Sequence, residues 1–360
     1  MNTVPRSCFD FKPAAQSFER FTGGQLPAFA VGADIDHSIV PWKENKYRKE
    51  VNAEGLRGNQ LAFRQVQNTA LFVVLTGIDL KSVQEISSEL NGFPPIDILA
   101  TDNGLEMHVN NKGEPSGIWL AKGRNIDSNN DWEAFLQTEA KWDRASFSQT
   151  MFRVLNNFGL REVTENTNCP EIAYSHHTIF KTVDLPVNAV FCSGESAIYL
   201  LKEESLPIEL VQEFGDVLAR NIVKKYNEIN PGSKVKYKLS EHDKYFYIFF
   251  SPNNEIKIDK ASAFEASLKF LPQNIRDSLK YAVVIGDSEN DTHVRLGEVT
   301  VPWSSSRIIP VYAIISGKYS HLLDDKEVMN HPRLVVAEEM GNIGNAFQYA
   351  VQRADKEVNL

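Results

Sequence analysis

The sequence has little cysteine, no excess of basic residues and no long apolar run. Its three cysteines, Cys8, Cys169 and Cys192, are far apart and form no Cys-x-x-Cys pair, so neither a disulfide framework nor a zinc site is predicted. The net charge of −9 offers no basic surface to a nucleic acid or an anionic membrane. No apolar run reaches membrane-spanning length. We therefore expect a cytoplasmic protein that binds neither nucleic acid nor membrane; the sequence indicates no oligomeric state.

Apolar strands alternate with helical stretches in two separate parts of the chain. In residues 27–110 the apolar runs Phe29–Ala33, Ala70–Leu75 and Ile96–Ala100 are separated by amphipathic stretches, and the same pattern returns after residue 255 with Tyr281–Ile285 and Val311–Ile315. Near-continuous apolar strands separated by helices are typical of a parallel sheet covered on both faces. The sequence predicts an α/β fold with a doubly wound, Rossmann-like parallel sheet.

The block between these two parts has a different character. Residues 111–254 contain a long amphipathic stretch, Ile208–Tyr226, and two alternating segments, Val235–Leu239 and Tyr245–Phe250, which are typical of antiparallel strands. We interpret it as an inserted α+β domain. The predicted organisation is an N-terminal extension over 1–26, a core over 27–110 and 255–360, and an insertion over 111–254.

Four short polar motifs fall at the ends of predicted strands or the start of a predicted helix. They are Asp34-Ile35-Asp36, Thr76-Gly77, Lys260 and Gly286–Asp291. Each motif alone is typical of a turn or a helix cap. Together they would meet at the carboxyl edge of one sheet, which is where open α/β sheets bind their ligands.

Phosphoryl transfer through an aspartyl-phosphate requires this set of groups. One carboxylate attacks phosphorus, a neighbouring acid protonates the leaving oxygen, and cations neutralise the phosphoryl oxygens. Asp34, Asp287 and a backbone carbonyl form the sparse set of oxygen ligands that Mg²⁺ prefers. The motifs therefore predict a Mg²⁺ site.

The four motifs resemble those of the haloacid dehalogenase (HAD) superfamily of phosphatases. The resemblance implies that Asp34 is the nucleophile and Asp36 the general acid and then base, with the Asp36 backbone carbonyl on Mg²⁺. It also implies that Thr76 and Lys260 hold the phosphoryl group, and that Asp287 completes the metal site with Asp291 as an outer or alternative ligand. The inserted domain is then similar to the large α/β cap by which this superfamily selects substrates.

A closer resemblance is to the sucrose-phosphate phosphatases. The segments that carry it are Asp34–Val40 with His37, Asp131–Arg144 with Trp132 and Trp142, and Asn330–Ala337. It implies that Lys181 contacts the sugar. One departure is Ile78, where the family has Arg. For Trp132 and Trp142, their spacing favours core packing over stacking on a sugar ring.

The leading hypothesis is a Mg²⁺-dependent phosphatase of a small sugar phosphate resembling sucrose 6-phosphate. A second hypothesis keeps the chemistry but changes the substrate to another phosphosugar or a phosphoprotein, or the acceptor to a sugar. A third is a binding or regulatory protein that has the same fold and no turnover.

Overall fold

The computed structural model describes most of the chain. Its described residues are 18–22, 24–43, 51–122, 126, 128–163, 177–181, 188–192, 197–201, 207–241, 245–252, 258–288, 291–301, 307–316 and 321–358. Residues 1–17 and 23 of the predicted N-terminal extension, and positions 289 and 290 of the fourth motif, lie outside this set.

The strands and helices of the described residues have the following bounds. The strands are β1 Phe29–Ala33, β2 Ala70–Leu75, β3 Ile98–Thr101, β4 Glu106–Val109, β5 Arg161–Val163, β6 His177–Lys181, β7 Asn188–Cys192, β8 Ala197–Leu201, β9 Val235–Glu241, β10 Tyr245–Pro252, β11 Tyr281–Gly286, β12 Glu298–Val301, β13 Arg307–Ile315 and β14 Leu334–Val336. The α-helices are α1 Ala53–Gln65, α2 Leu80–Glu85, α3 Ser116–Leu120, α4 Asn130–Thr138, α5 Arg144–Asn157, α6 Ile208–Ile229, α7 Lys260–Lys269, α8 Gln273–Ser278, α9 Lys326–Met329 and α10 Ile343–Val358.

The chain divides into two compact units. One contains Ala134–Lys257, and the other contains Phe9–Glu133 together with Ile258–Leu360. The second unit is therefore built from two chain segments. The boundaries drawn from the sequence for extension, core and insertion remain a prediction.

The two-segment unit contains an eight-stranded, mostly parallel sheet. Its order is β12-β13-β11-β1-β2-β3-β4, with β14 paired to β13. The pairs β1–β2, β2–β3, β1–β11, β11–β13 and β13–β14 are parallel, whereas β4 and β12 are antiparallel. The predicted α/β fold with a parallel sheet is confirmed; the antiparallel β4 and β12 were not foreseen.

Helices cover both faces of this sheet. On one face Phe63 of α1 lies 6.0 Å, centroid to centroid, from Phe72 of β2 and stacks at 4.5 Å on Phe347 of α10. The opposite face carries Gly32 of β1, where a Cβ would lie 2.8 Å from the ring of Phe264 in α7. Only a glycine lets α7 approach this closely. The sheet is doubly wound, as the sequence predicts.

Strand order changes direction at β1. The chain passes from β1 through α1 to β2 on one side, and β11 occupies the other side of β1. The carboxyl ends of β1 and β11 therefore border a topological switch point, where a crevice opens in such sheets.

The other unit contains a six-stranded antiparallel sheet in the order β5-β6-β7-β8-β10-β9. Helix α6 packs on it at Gly215, where a Cβ would lie 2.9 Å from Leu200 and 3.2 Å from Leu239. The rings of Trp142 and Phe147 lie 4.6 Å apart, centroid to centroid, within the same unit. This unit has the antiparallel α+β character that the sequence predicts for the insertion.

Helix α4 contains Trp132 but stops before Trp142. It ends at Thr138, and Lys141 has a left-handed backbone with φ of 52°. Both tryptophans are buried, at 1% and 2% exposure, so the expectation of core packing is confirmed. Among the described residues, no helix is long and apolar enough to cross a bilayer.

Residues just before β1 pack on the sheet. Phe18 and Phe21 are buried, and Arg20 Nη1 donates to both carboxylate oxygens of Asp97, at 3.0 and 2.9 Å. Asp97 in turn accepts the backbone N–H of Phe72 at 2.8 Å. These contacts tie the start of the described chain to the amino ends of β2 and β3.

Candidate active site

Asp34 follows β1 directly and is buried under the edge of the sheet. Its backbone N–H donates to Ile285 of β11 at 3.0 Å, which continues the parallel pairing by one residue. The side chain is 4% exposed. The turn after it is closed by hydrogen bonds from Ile39 N–H to the Asp34 carbonyl and from Val40 N–H to Ile35. Asp36 lies in this turn and is partly exposed.

Thr76 follows β2 at the same edge. It is buried, and its N–H donates to Ala100 of β3 at 2.9 Å. Its hydroxyl accepts the N–H of Ile78 at 3.3 Å. The predicted position of Thr76, at a strand end beside β1, is the one the structure gives.

Lys260 is the first residue of α7. Asp259 caps the helix: its Oδ1 accepts the N–H of Ser262 at 2.9 Å, while Ser262 Oγ accepts the N–H of Asp259 at 2.8 Å. This capping box fixes where α7 begins. The Lys260 ammonium group then donates to Asp34 Oδ1 at 2.9 Å and to Asp291 Oδ1 at 2.6 Å.

Asp291 closes the loop after β11. It has no exposed surface, and its Oδ2 accepts the backbone N–H groups of Asp287 and Ser288 at 2.7 and 2.8 Å. Gly286 permits this arrangement, because a Cβ there would lie 2.5 Å from the Cβ of Asp291. Asp291 therefore holds the backbone of Asp287 and Ser288 in place.

Three carboxylates surround one ammonium group. Oxygens of Asp34, Asp287 and Asp291 lie within 4.8 Å of one another. Burial raises the pKa of Asp34 to about 7, with Lys260 opposing, and burial together with the charges of Asp291 and Asp34 raises the pKa of Asp287 to about 9. For Asp291, burial is outweighed by Lys260 and the hydrogen bonds, and its pKa falls to about 2. Burial also disfavours charge on Lys260, but Asp291 and Asp34 raise its pKa.

The donor set fits a hard divalent cation. Burial and the neighbouring Asp291 raise the pKa values of Asp34 and Asp287, so a cation placed among these carboxyl groups would favour their ionised forms. Mg²⁺ prefers carboxylate oxygens, usually from one or two side chains, with waters completing its octahedron.

Two residues at this edge were not anticipated from the sequence. Asn103 donates its N–H to the Thr76 carbonyl at 2.9 Å, and its buried Oδ1 has no hydrogen-bond partner. Its backbone is left-handed, as are those of Asp102 and Gly104; the Asn-Gly pair is the signal that could have marked this turn. Trp42 is the second residue, and its Nε1 donates to Asp36 Oδ1 at 2.7 Å.

The structure brings Asp34, Asp287, Asp291 and Lys260 together, with Thr76 following the strand next to β1. Lys181 lies in the other unit, at the end of β6, with Asn188 and Arg161 opposite it in the neighbouring strands. Its predicted role as a sugar contact, like the roles predicted for the other site residues, remains a prediction.

No family model and no curated protein matches the chain. Among solved structures, the chain is similar to the sucrose-phosphatase of Synechocystis sp. PCC6803 in complex with sucrose and phosphate, with 13% identity, 92% of this chain and 99% of that chain covered, and a TM-score of 0.47. It is also similar to a haloacid dehalogenase-like hydrolase from Bacteroides thetaiotaomicron, with 12% identity, 89% and 98% covered, and a TM-score of 0.45. A third is a trehalose-6-phosphate phosphatase from Aspergillus fumigatus, with 12% identity, 95% and 100% covered, and a TM-score of 0.43.

The superfamily that the motifs resemble is thus represented among the similar structures. At these identities and TM-scores the likeness assigns neither an activity nor a substrate to this chain.

Proposed function

We propose that this chain is a Mg²⁺-dependent phosphatase that hydrolyses a phosphate monoester through an aspartyl-phosphate. The observation that carries the proposal is the Lys260 ammonium group between Asp34 and Asp291, with Asp287 beside them. A buried carboxylate held by a lysine at the switch point of a parallel sheet is arranged as a nucleophile, since its charge is balanced and its direction fixed.

In the proposed reaction an Asp34 oxygen attacks phosphorus, and the bond from phosphorus to the ester oxygen breaks. Asp36 gives its proton to that leaving oxygen. Asp36 then takes a proton from water, the resulting hydroxide attacks the phosphorus, and the bond to Asp34 breaks to release inorganic phosphate. Lys260 and Thr76 hold the phosphoryl oxygens. Mg²⁺, held by Asp34, Asp287 and the Asp36 carbonyl with Asp291 as an outer or alternative ligand, would supply positive charge against those oxygens.

For the substrate we propose a small sugar phosphate, with sucrose 6-phosphate first. The support is the sequence likeness at His37, at Asp131–Arg144 and at Asn330–Ala337. Ile78, which replaces an arginine of the resembled family, favours testing other phosphosugars, a phosphoprotein and a sugar as phosphoryl acceptor. The insertion serves in this proposal as the cap that selects the substrate, and the protein works in the cytoplasm.

The decisive test is phosphate release by the purified protein with Mg²⁺. The panel holds sucrose 6-phosphate, trehalose 6-phosphate, mannosylglycerate phosphate and a phosphoprotein, with free sugars added in a second series to detect transfer. We expect one sugar phosphate to lead in kcat/KM and chelation of Mg²⁺ to stop release. No release from any member would contradict the proposal.

The first prediction concerns the nucleophile. Asp34→Asn should abolish phosphate release while the far-UV circular dichroism is unchanged, because the amide is nearly isosteric but cannot attack phosphorus. Asp277→Asn, at an exposed position of α8, is the matched control and should keep wild-type activity. Beryllofluoride with Mg²⁺ should raise the melting temperature of the wild type and not of Asp34→Asn. An equal shift in both would remove Asp34 from the nucleophile role, and no shift in an inactive wild type would favour a regulatory protein without turnover.

A further inference from the structure

The turn that carries Asp36 is anchored to helix α1. Asn59 of this helix donates from Nδ2 to the carbonyls of Ser38 and Ile39 at 3.3 and 3.1 Å. His37, next to Asp36, has a left-handed backbone with φ of 54°, a conformation that persists in a residue other than glycine only where its surroundings enforce it. The backbone position of Asp36 is therefore fixed.

Trp42 is anchored at the start of the same helix. The carbonyl of Pro41 accepts the N–H of Asn52 at 2.8 Å, and Trp42 forms a β-bridge with Val51. Asn52 caps α1 and accepts the N–H of Gly55 at 3.1 Å. The indole is nearly buried, at 9% exposure. The backbone contacts beside Trp42 and the burial of its side chain together restrict the direction in which the indole N–H can point.

The indole of Trp42 forms a hydrogen bond with Asp36, the general acid of the proposed reaction. Its Nε1–H donates to Asp36 Oδ1 at 2.7 Å, which is short for an N–H donor and typical of a carboxylate acceptor. In a protonated carboxyl group the oxygen without the proton is the better acceptor for an N–H group. With this bond intact, a proton on Asp36 is therefore favoured on Oδ2.

We infer that Trp42 is a positioning residue that favours Oδ2 as the site of the acidic proton of Asp36 and holds the carboxyl group in one rotamer for delivery to the leaving oxygen. The inference rests on the proposed phosphatase activity and adds a residue to it. Removing the indole N–H removes the donor that favours a proton on Oδ2 and supports this rotamer, so fewer encounters have the proton aimed at the leaving group.

The test compares leaving groups, because an alkoxide needs the proton and p-nitrophenolate hardly does. We measure kcat/KM, which reports the steps up to phosphoryl transfer to Asp34, for the best sugar phosphate and for p-nitrophenyl phosphate. Trp42→Phe keeps an aromatic ring and removes the donor. It should lower kcat/KM about 10-fold for the sugar phosphate and less than about 3-fold for p-nitrophenyl phosphate. The 10-fold loss is smaller than the ~10²–10⁴-fold that a general acid contributes, because Asp36 itself is still present.

Three further variants make the result specific. Trp42→His can place an N–H at Nε2, which is three bonds from Cβ, as Nε1 is in tryptophan. Its ratio of kcat/KM values for the two substrates should therefore lie closer to wild type than that of Trp42→Phe. Asp36→Asn should change the ratio in the same direction and further. Trp119→Phe is the matched control, since Trp119 is buried in α3, whose first residue Ser116 contacts Pro94 and Ile96 at the amino end of β3, away from the site.

The inference is overturned if Trp42→Phe leaves the ratio as in Trp119→Phe, or if Trp42→His changes it more than Trp42→Phe, which would assign the effect to lost ring volume. A wild type that hydrolyses neither substrate overturns the proposed function instead. Thermal melting of each variant shows whether it is folded. Loss of folded protein would lower both rates by the same factor and leave their ratio unchanged.

Discussion

Asp291 has a larger part in the structure than the sequence suggests. The motif predicts an outer or alternative metal ligand, yet this carboxylate also receives Lys260 and two backbone N–H groups of the loop that carries Asp287. One side chain therefore binds both the lysine and the backbone of Asp287 and Ser288. Removing its contacts would disturb two groups of the site together.

A substitution at Gly286 tests this role at the scale of one residue. In Gly286→Ala the new Cβ would lie 2.5 Å from the Asp291 Cβ and 2.7 Å from its Cγ, so Asp291 must move away from its partners. We expect a loss of about 1–3 kcal/mol in the free energy of unfolding and at least a tenfold loss of kcat/KM. Urea unfolding and phosphate release measure the two effects.

Gly297→Ala is the control for that prediction. A Cβ at Gly297 meets nothing within 4 Å, so stability should stay within about 0.5 kcal/mol of wild type and activity should not change. Wild-type kcat/KM in Gly286→Ala would show that the position of Asp291 is unimportant for turnover.

At the scale of elements, α7 places Lys260 through its cap and its packing. Asp259 and Ser262 fix the first turn, while Phe264 in the next turn meets Gly32 of β1, two residues before Asp34. The helix that carries the lysine and the strand that ends at the carboxylate are thus in direct contact. Their separation follows from core packing rather than from the ion pair alone.

The cap of α7 provides a prediction at this scale. Asp259→Ala removes the acceptor for the Ser262 N–H and should cost about 1 kcal/mol in the free energy of unfolding, with a few-fold loss of kcat/KM because the first turn, which holds Lys260, loosens. Asp259→Asn retains a capping oxygen and should lie near wild type in both. The prediction fails if the alanine and asparagine variants have the same urea midpoint.

The Asp131–Arg144 segment, one of three that resemble sucrose-phosphate phosphatases, acts as scaffold in this structure. Trp132 Nε1 donates to the Gly104 carbonyl at 2.9 Å, Trp142 is buried, and Asp143 caps α5 by accepting the Ser146 N–H at 3.0 Å. In this chain, these residues therefore serve core packing and helix capping.

What the sequence predicts well are elements with a strong local signal. Strands β1, β2 and β11 are continuous apolar runs, and Asp34, Thr76 and Asp287 follow them directly, so strand ends suffice to place them. Strands β4 and β12 are four residues long and edge the sheet, which leaves them no distinctive pattern. The bond from Trp42 to Asp36 depends on how two turns face each other, and no spacing along the chain encodes that.

At the scale of the molecule, the contact between Arg20 and Asp97 links stability to pH. Asp97 has no exposed surface, and burial raises its pKa to about 6 against the opposing effect of Arg20 and of the Phe72 N–H. A carboxyl group whose pKa is higher in the folded state binds more protons folded than unfolded between about pH 4 and pH 6. Ionisation of Asp97 therefore lowers the free energy of unfolding as the pH rises through this window.

The prediction concerns the difference in stability between the wild type and Asp97→Asn. The free energy of unfolding of the wild type, minus that of Asp97→Asn, should fall by about 3 kcal/mol between pH 4 and pH 7. Taking the difference removes every carboxyl group that the two proteins share. Urea titrations at several pH values measure it, and a difference that rises with pH would contradict the sign derived from burial.

The position of β1 has a consequence for a chain leaving the ribosome. It pairs with β2, which is made soon after it, and with β11, which is made only after the whole other unit. Until then one edge of an apolar strand has no strand to pair with, and such edges associate with other chains. Lys260 and Asp34 are 226 positions apart, and Lys260 and Asp287 emerge with the segment that carries β11. On a growing chain, the strand that protects β1 and the residues that complete the charge cluster therefore arrive together.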